Sequence, residues 1–112
     1  LAAPTTPDER LYEICTRSYG FVYAVGLLGV TGVRSELADS AIEIASRLKK
    51  VTSKPVLVGV GIGTPEQAVK ASEISDGVIV GSAIVQEMID SSSPEKVGEL
   101  VSSFRNALDK NY

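Results

Sequence analysis

At 112 residues the chain has room for one domain with a real core and not for two. Apolar residues make up 44% and charged residues 22%, the balance of a globular protein, and no apolar run approaches the roughly 20 residues needed to cross a bilayer. A net charge of −3 and a pI near 4.9 leave no basic stripe to neutralise a nucleic-acid backbone, whereas a small phosphorylated ligand stays possible because backbone N–H groups can hold one.

Leu1-Ala2-Ala3-Pro4 shows neither an initiator Met nor a basic region before an apolar stretch, so it reads as a chain entered partway through rather than as a signal peptide. Leu1-Ala2-Ala3 is expected to be the frayed end of a strand. Thr6-Pro7-Asp8-Glu9 has the Thr–Pro–acid order of a capped helix start, and it opens a helix expected over about residues 7–18 that buries Leu11, Ile14 and Cys15 and stops at Gly20. Phe21-Val22-Tyr23-Ala24-Val25, between Gly20 and Gly26, reads as a buried strand. A helix over about residues 37–50 follows, with Leu37, Ala41, Ile44, Ala45 and Leu48 on one stripe. Pro55 then introduces the strand Val56-Leu57-Val58-Gly59-Val60. Thr64-Pro65-Glu66-Gln67 repeats the start signal and opens a helix over about residues 65–74, with Ala68, Val69 and Ala71 inward. Gly77-Val78-Ile79-Val80 is a third strand, and a short helix after it carries Ala83, Ile84, Val85 and Met88. Ser91-Ser92-Ser93-Pro94 breaks that helix, and a last one has Val97, Leu100, Val101, Phe104 and Leu108 at helical spacing.

Helices alternating with apolar strands through short loops imply parallel strands. The core has no Trp to draw on and must be built from Val, Ile, Leu and Ala, a vocabulary that suits such strands. An open doubly wound sheet and a piece of a (βα)8 barrel both fit the order. The open sheet lacks its dinucleotide fingerprint, since Gly59-Val60-Gly61-Ile62-Gly63 has no third glycine at the required offset. A full barrel takes about 250 residues, so 112 residues correspond to a partial barrel: the end of one strand, three further strands and their helices, in one segment over 1–112.

Each strand is followed by a glycine turn: Gly29-Val30-Thr31-Gly32, Gly59-Val60-Gly61-Ile62-Gly63, and Gly81-Ser82. In a parallel βα structure all three lie at the carboxyl ends of the strands, where binding sites form. Gly81-Ser82 also opens a helix, so Val80-Gly81-Ser82-Ala83-Ile84 is a candidate phosphate cradle. Read blandly, each glycine is only turn punctuation; it is the three together, aimed at one face, that point to a ligand.

These turns, with Phe21-Val22-Tyr23, Thr64-Pro65-Glu66-Gln67, Val80-Gly81-Ser82-Ala83-Ile84-Val85 and the opening Ala2-Ala3-Pro4-Thr5-Thr6-Pro7, resemble the C-terminal portion of the tryptophan synthase α subunit over nearly the whole chain. The resemblance implies the C-terminal part of a (βα)8 TIM barrel. It also implies a lyase that cleaves indole-3-glycerol phosphate to indole and glyceraldehyde 3-phosphate in tryptophan biosynthesis, and passes indole to a β subunit that carries the pyridoxal phosphate. This chain is expected to hold no cofactor itself. Carried over by position, Gly32, Gly61, Gly81 and Ser82 match residues whose N–H groups hold the substrate phosphate. Tyr23 matches a tyrosine beside the reacting part of the substrate, and Thr31 a threonine of the closing loop. Val60 stands where the family often has a Phe on the indole ring. The family's catalytic glutamate and aspartate belong to elements that precede Leu1, so this segment alone is expected to be inactive, with the missing N-terminal half of the barrel and the β subunit as partners.

The remaining residues read plainly. There is no His and no metal-ligand cluster, and Asp8, Glu9 and Glu66 look like first-turn carboxylates matched to helix dipoles. Cys15 lies on an apolar stripe and reads as a core thiol; as the only cysteine it makes no internal disulfide, which fits a cytoplasmic protein. Lys49, Lys50 and Lys54 read as a solvated helix end, and Arg34 as a surface residue close to a glycine turn. Two alternatives stay open: another phosphate-binding βα-barrel enzyme, and a non-catalytic half-barrel that persists by association.

Overall fold

Val22, Ala24, Val56 and Val58 alternate with Tyr23 and Leu57, and that two-residue period assigns the first four to one face of a sheet. The computed structural model describes residues 1–26, 34–59 and 61–110. In it those four side chains are 1% exposed or less, while Tyr23 and Leu57 on the opposite face are half-buried. The element order is α1 (Asp8–Arg17), β1 (Val22–Val25), α2 (Arg34–Val51), β2 (Val56–Gly59), α3 (Pro65–Ser72), β3 (Gly77–Val78), α4 (Ser82–Ser91) and α5 (Pro94–Asp109). The three strands are parallel in the order β1-β2-β3, with Tyr23, Leu57 and Gly77 level across the sheet. Ala2 adds a fourth position beside β1: its N–H donates to the Tyr23 carbonyl at 2.9 Å, and its carbonyl accepts from Val25 N–H at 2.7 Å. The frayed strand end expected at residues 1–3 is therefore a paired one.

The core lies between the valine face and the helices. Leu11 and Cys15 of α1, Ala41, Ile44, Ala45 and Leu48 of α2, Ala68 and Ala71 of α3, and Phe104 of α5 meet Val22, Ala24, Val56 and Val58 there. Burying the branched side chains of one sheet face under helix stripes is what makes this arrangement stable, at about 25 cal/mol for each Å² of apolar surface removed from water. Burial pushes the Cys15 thiol above its ordinary pKa, with Lys54 opposing more weakly, as befits a core thiol.

Several expectations shift. Thr6 does not cap α1: its hydroxyl accepts from Ala3 N–H at 3.0 Å within the preceding turn, and Pro7, which has no side-chain donor or acceptor, occupies the cap. The second start signal forms the full capping box, Thr64 with Gln67. Ile14 and Val69 are half-buried, and Phe21 lies outside β1 and is exposed. β3 is two residues long, although Ile79 N–H still donates to Val58 at 2.8 Å. α2 begins at Arg34, three residues before the expected 37. The short helix expected after β3 is α4, and it buries none of its residues: Val85, Met88 and Ile89 are 53%, 55% and 69% exposed.

Lys54 is not solvated. Its Nζ donates to the carbonyls of Cys15 at 2.6 Å and Ser18 at 2.8 Å, closing the C-terminus of α1. Asp76 ties β2 to α2 in a similar way, its Oδ2 accepting from Lys49 Nζ at 2.7 Å and from Val56 N–H at 2.8 Å. The Lys49 hydrogen bond, and after it the Val56 amide, hold the Asp76 carboxyl below its usual range. A lowered folded pKa means that the carboxylate stabilises the fold above the unfolded value of about 3.9, and that this contribution is lost as pH falls through the folded one. Asp76→Asn is therefore expected to be less stable than the parent at pH 7. The gap should narrow as pH drops below about 4, where the parent carboxyl takes up its proton. Urea unfolding at both pH values reads this, and a gap of unchanged size would count against the linkage.

Candidate functional site

Two of the three glycine turns lie among the described residues, and both open onto one cleft. Its volume is about 300 Å³, and Tyr23, Gly61, Ile62, Ile79, Gly81 and Ser82 line it. That is at the small end for a ligand site. The cleft sits beyond the carboxyl ends of β2 and β3, as parallel strands followed by helices require.

Each wall has a local cause. After β2 the chain turns at Gly61, whose φ of +82° is a left-handed conformation that a side chain disfavours. Ile62 then anchors the turn in the core at 6% exposure. Gly63 N–H and Thr64 N–H both donate to Gln67 Oε1, at 2.7 and 3.2 Å, and Gln67 N–H returns a bond to Thr64 Oγ1 at 3.2 Å. The turn is thus locked onto the first residues of α3, and Gly61 is held in place relative to the sheet.

After β3, Gly81 is the N-cap of α4 and provides no side-chain cap. Its carbonyl accepts from Ile84 and Val85 N–H at 3.0 and 3.1 Å, so the α4 helix is properly started while its first amides keep the free donors of any helix N-terminus. Gly81 and Ser82 are exposed, and a Cβ built on Gly81 would meet nothing within 4 Å. Packing within the chain does not require glycine there; close approach of something from the cleft would.

Tyr23 forms the third wall because Gly59 lacks a side chain. A Cβ at Gly59 would run into the Tyr23 hydroxyl and would lie 2.7 Å from its ring carbon Cζ, so the ring rests on the bare backbone of β2. Gly59→Ala is expected to cost about 1–3 kcal/mol of stability by overpacking. Because the Tyr23 ring has to swing away, combining it with Tyr23→Ala should recover much of that loss. Additive losses in a double-mutant cycle by urea unfolding would show that the ring does not rest on Gly59.

Of the residues expected at the site, the structure brings together Tyr23, Gly61, Gly81 and Ser82. Thr31, Gly32 and Val60, and with them the first glycine turn and the closing loop over 27–37 up to its helical part, lie outside the described residues. Ile62 and Ile79 line the cleft without having been singled out; their only signal was an apolar residue next to a glycine turn. Among the described residues no carboxylate lines the cleft, and Asp8, Glu9 and Glu66 are exposed on first turns. Among the described residues no group of three or more His, Cys, Asp or Glu could hold a metal ion, and no helix is long and apolar enough to cross a membrane. The arrangement can bind an anion through backbone donors beside an aromatic hydroxyl, and its described lining holds no acid–base pair.

Comparison with known proteins agrees on one family. Residues 1–110 match the family model described as tryptophan synthase alpha chain. The tryptophan synthase alpha chain of Gloeobacter violaceus is 48% identical over 101 residues, which are 89% of this chain and 37% of that protein. That of Dehalococcoides mccartyi is 41% identical over 109 residues, 97% of this chain and 43% of the other. A tryptophan synthase structure from Mycobacterium tuberculosis superposes with a TM-score of 0.81 at 36% identity, over 96% of this chain and 40% of that one. The chain therefore spans well under half the length of the proteins it matches.

Proposed function

Because the chain belongs to the tryptophan synthase α-chain family, we propose that it is the C-terminal segment of such a subunit and supplies the phosphate grip of its barrel. The observation that carries this reading is the convergence of Gly61, Gly81 and Ser82 beside Tyr23 in one cleft. A phosphate there accepts N–H bonds from the α4 start and from the Gly61 turn, and the positive end of the α4 dipole adds to the attraction. The missing Cβ at Gly81 leaves the approach open.

The substrate on this reading is indole-3-glycerol phosphate, cleaved in a lyase reaction of tryptophan biosynthesis. Tyr23 stands beside the reacting end, and Thr31, Gly32 and Val60 are assigned to substrate binding by their match to the family's positions. The proton-transferring carboxylates belong to the part of the barrel that precedes Leu1. The 112 residues then form one partial-barrel unit that releases no indole alone. A β subunit with pyridoxal phosphate takes up the product, in the cytoplasm.

Titration of the chain with glycerol phosphate tests the grip. The amide resonances of Gly61, Gly81 and Ser82 are expected to shift at millimolar ligand, and unmoved amides would overturn it. Adding the upstream portion of a relative's α chain tests the wider reading: indole release is expected from the mixture and not from either part.

A further inference from the structure

The described lining of the phosphate cleft holds no Lys, Arg, Asp or Glu: its residues bring hydroxyls, bare backbone and apolar side chains. An anion bound there depends on N–H dipoles and on the start of α4, whose first turn contains no acidic residue. A grip of this kind has no lining cation to offset a carboxylate close by. The charge of any side chain fastened next to the cleft therefore matters.

Gln67 is fastened next to it. Its Oε1 accepts from Gly63 N–H at 2.7 Å and from Thr64 N–H at 3.2 Å, and two donors require the oxygen end of the amide to face the turn. Gly63 is two residues from Gly61, and two residues span at most about 7 Å, so this oxygen lies within roughly 10 Å of the Gly61 backbone. The half-buried side chain cannot swing clear without giving up both bonds. A Glu at this position would accept the same two bonds and complete the same capping box with Thr64. It would also suit the positive end of the α3 dipole better than an amide does. For the helix alone, then, the carboxylate is the better residue. The first-turn carboxylates that the chain does carry, Asp8 and Glu9 on α1, Glu66 on α3 and Glu95 on α5, are all exposed to solvent. The acceptor pinned to the cleft turn is the neutral one.

We propose that Gln67 is a positioning residue of the phosphate site, holding the turn over 61–64 through an acceptor whose neutrality spares the adjoining anion. This rests on the phosphate-grip reading. One atom then does two jobs: it fixes the turn that presents Gly61, and it adds no negative charge beside a dianion.

Glycerol phosphate titrations of the parent, Gln67→Glu and Gln67→Ala chains test it, read from the Gly81 and Ser82 amides at about pH 8, well above the second phosphate pKa of about 6. At an ionic strength of about 0.05 M, Gln67→Glu is expected to bind about three- to fivefold more weakly than the parent. The gap should close at about 1 M salt, where the screening length falls to about 3 Å. Gln67→Glu should still unfold at a urea concentration no lower than the parent's, with its Gly63 and Thr64 amides equally protected from exchange. Gln67→Ala should exchange those two amides faster, unfold at lower urea and bind more weakly at both salt concentrations. A purely structural Gln67 would give no salt-dependent loss in Gln67→Glu. Equal binding by the parent and Gln67→Glu at low salt, or unchanged Gly63 and Thr64 exchange in Gln67→Ala, overturns the role of Gln67 and leaves the grip standing. A parent whose Gly81 and Ser82 amides ignore phosphate overturns both.

Discussion

Leu48→Ala is expected to destabilise the chain by about 3–4 kcal/mol, within the range of about 2–5 for large-to-small changes in a packed core. Leu48 is fully buried, as is Ile44 on the same stripe of α2. That stripe packs against Val22, Ala24, Val56 and Val58 together with Leu11 of α1. The core is one layer between helices and a single sheet face, so a void at its centre has few neighbours able to collapse into it. For a domain of this size each kcal/mol lowers Tm by roughly 4–8 °C, and the substitution should lower it by at least 10 °C. Ile42, 44% exposed on the outer side of the same helix, is the control: Ile42→Ala is expected to stay within about 1 kcal/mol of the parent, since surface changes usually do. Calorimetry of the three proteins checks the difference. Similar losses at positions 42 and 48 would mean that the helix is not held by its inner stripe.

The residues of that stripe were legible in the sequence because periodicity carries burial directly. Ala41, Ile44, Ala45 and Leu48 recur at helical spacing, and all four are buried. The Thr64–Gln67 box was equally plain, since its bonds are local and its two partners are three residues apart. Thr6-Pro7-Asp8-Glu9 carried much the same letters and formed no box, because Ala3 N–H, three residues upstream, claimed the Thr6 hydroxyl. A capping motif states what a hydroxyl can do and not which donor reaches it first. At α4 the spacing of Val85 and Met88 indicated a helix, and the helix is there, yet both side chains stay more than half exposed. Spacing names a face without saying that a partner layer is present. The glycine turns stand between these cases. Their position after strands predicted a common end, and the shared cleft of Gly61, Gly81 and Ser82 agrees. The dependence of Tyr23 on a bare Gly59 could not be read off, because it is a cross-strand contact between residues 36 apart in a chain whose register only the fold defines. The family match, in turn, answers the question that local patterns left open between this family and other βα-barrel enzymes.

Long-range polar contacts were the least legible of all, and Arg47 shows what was missed. It sits on α2 and 22% of its side chain is exposed. Its Nη1 donates to the Pro4 carbonyl at 2.9 Å, its Nη2 to the Thr6 carbonyl, and its Nε and Nη2 to Asp8 Oδ1 at 3.1 and 2.9 Å. One guanidinium therefore fastens the segment that leads from the fourth strand position into α1. Arg47→Met keeps the aliphatic stem and removes every donor, leaving carbonyls of the segment without their partner. Hydrogen bonds to charged groups contribute about 1.5–3 kcal/mol each at most, and a loss of about 2–3 kcal/mol is expected. Asp8→Ala should cost under about 1 kcal/mol, because the Asp8 side chain is 84% exposed and an exposed ion pair contributes little. Arg47→Lys keeps the charge on a single point donor that cannot reach three acceptors in one plane, so it should recover only part of the loss. Hydrogen exchange locates the effect. Ala2 and Val25 amides, which pair the fourth strand position with β1, are expected to exchange faster in Arg47→Met than in Asp8→Ala. Equal exchange and equal stability in the two variants would reduce Arg47 to a surface ion pair. The ordering predicted here makes it the residue that holds the outer strand, and with it one edge of the barrel, in register.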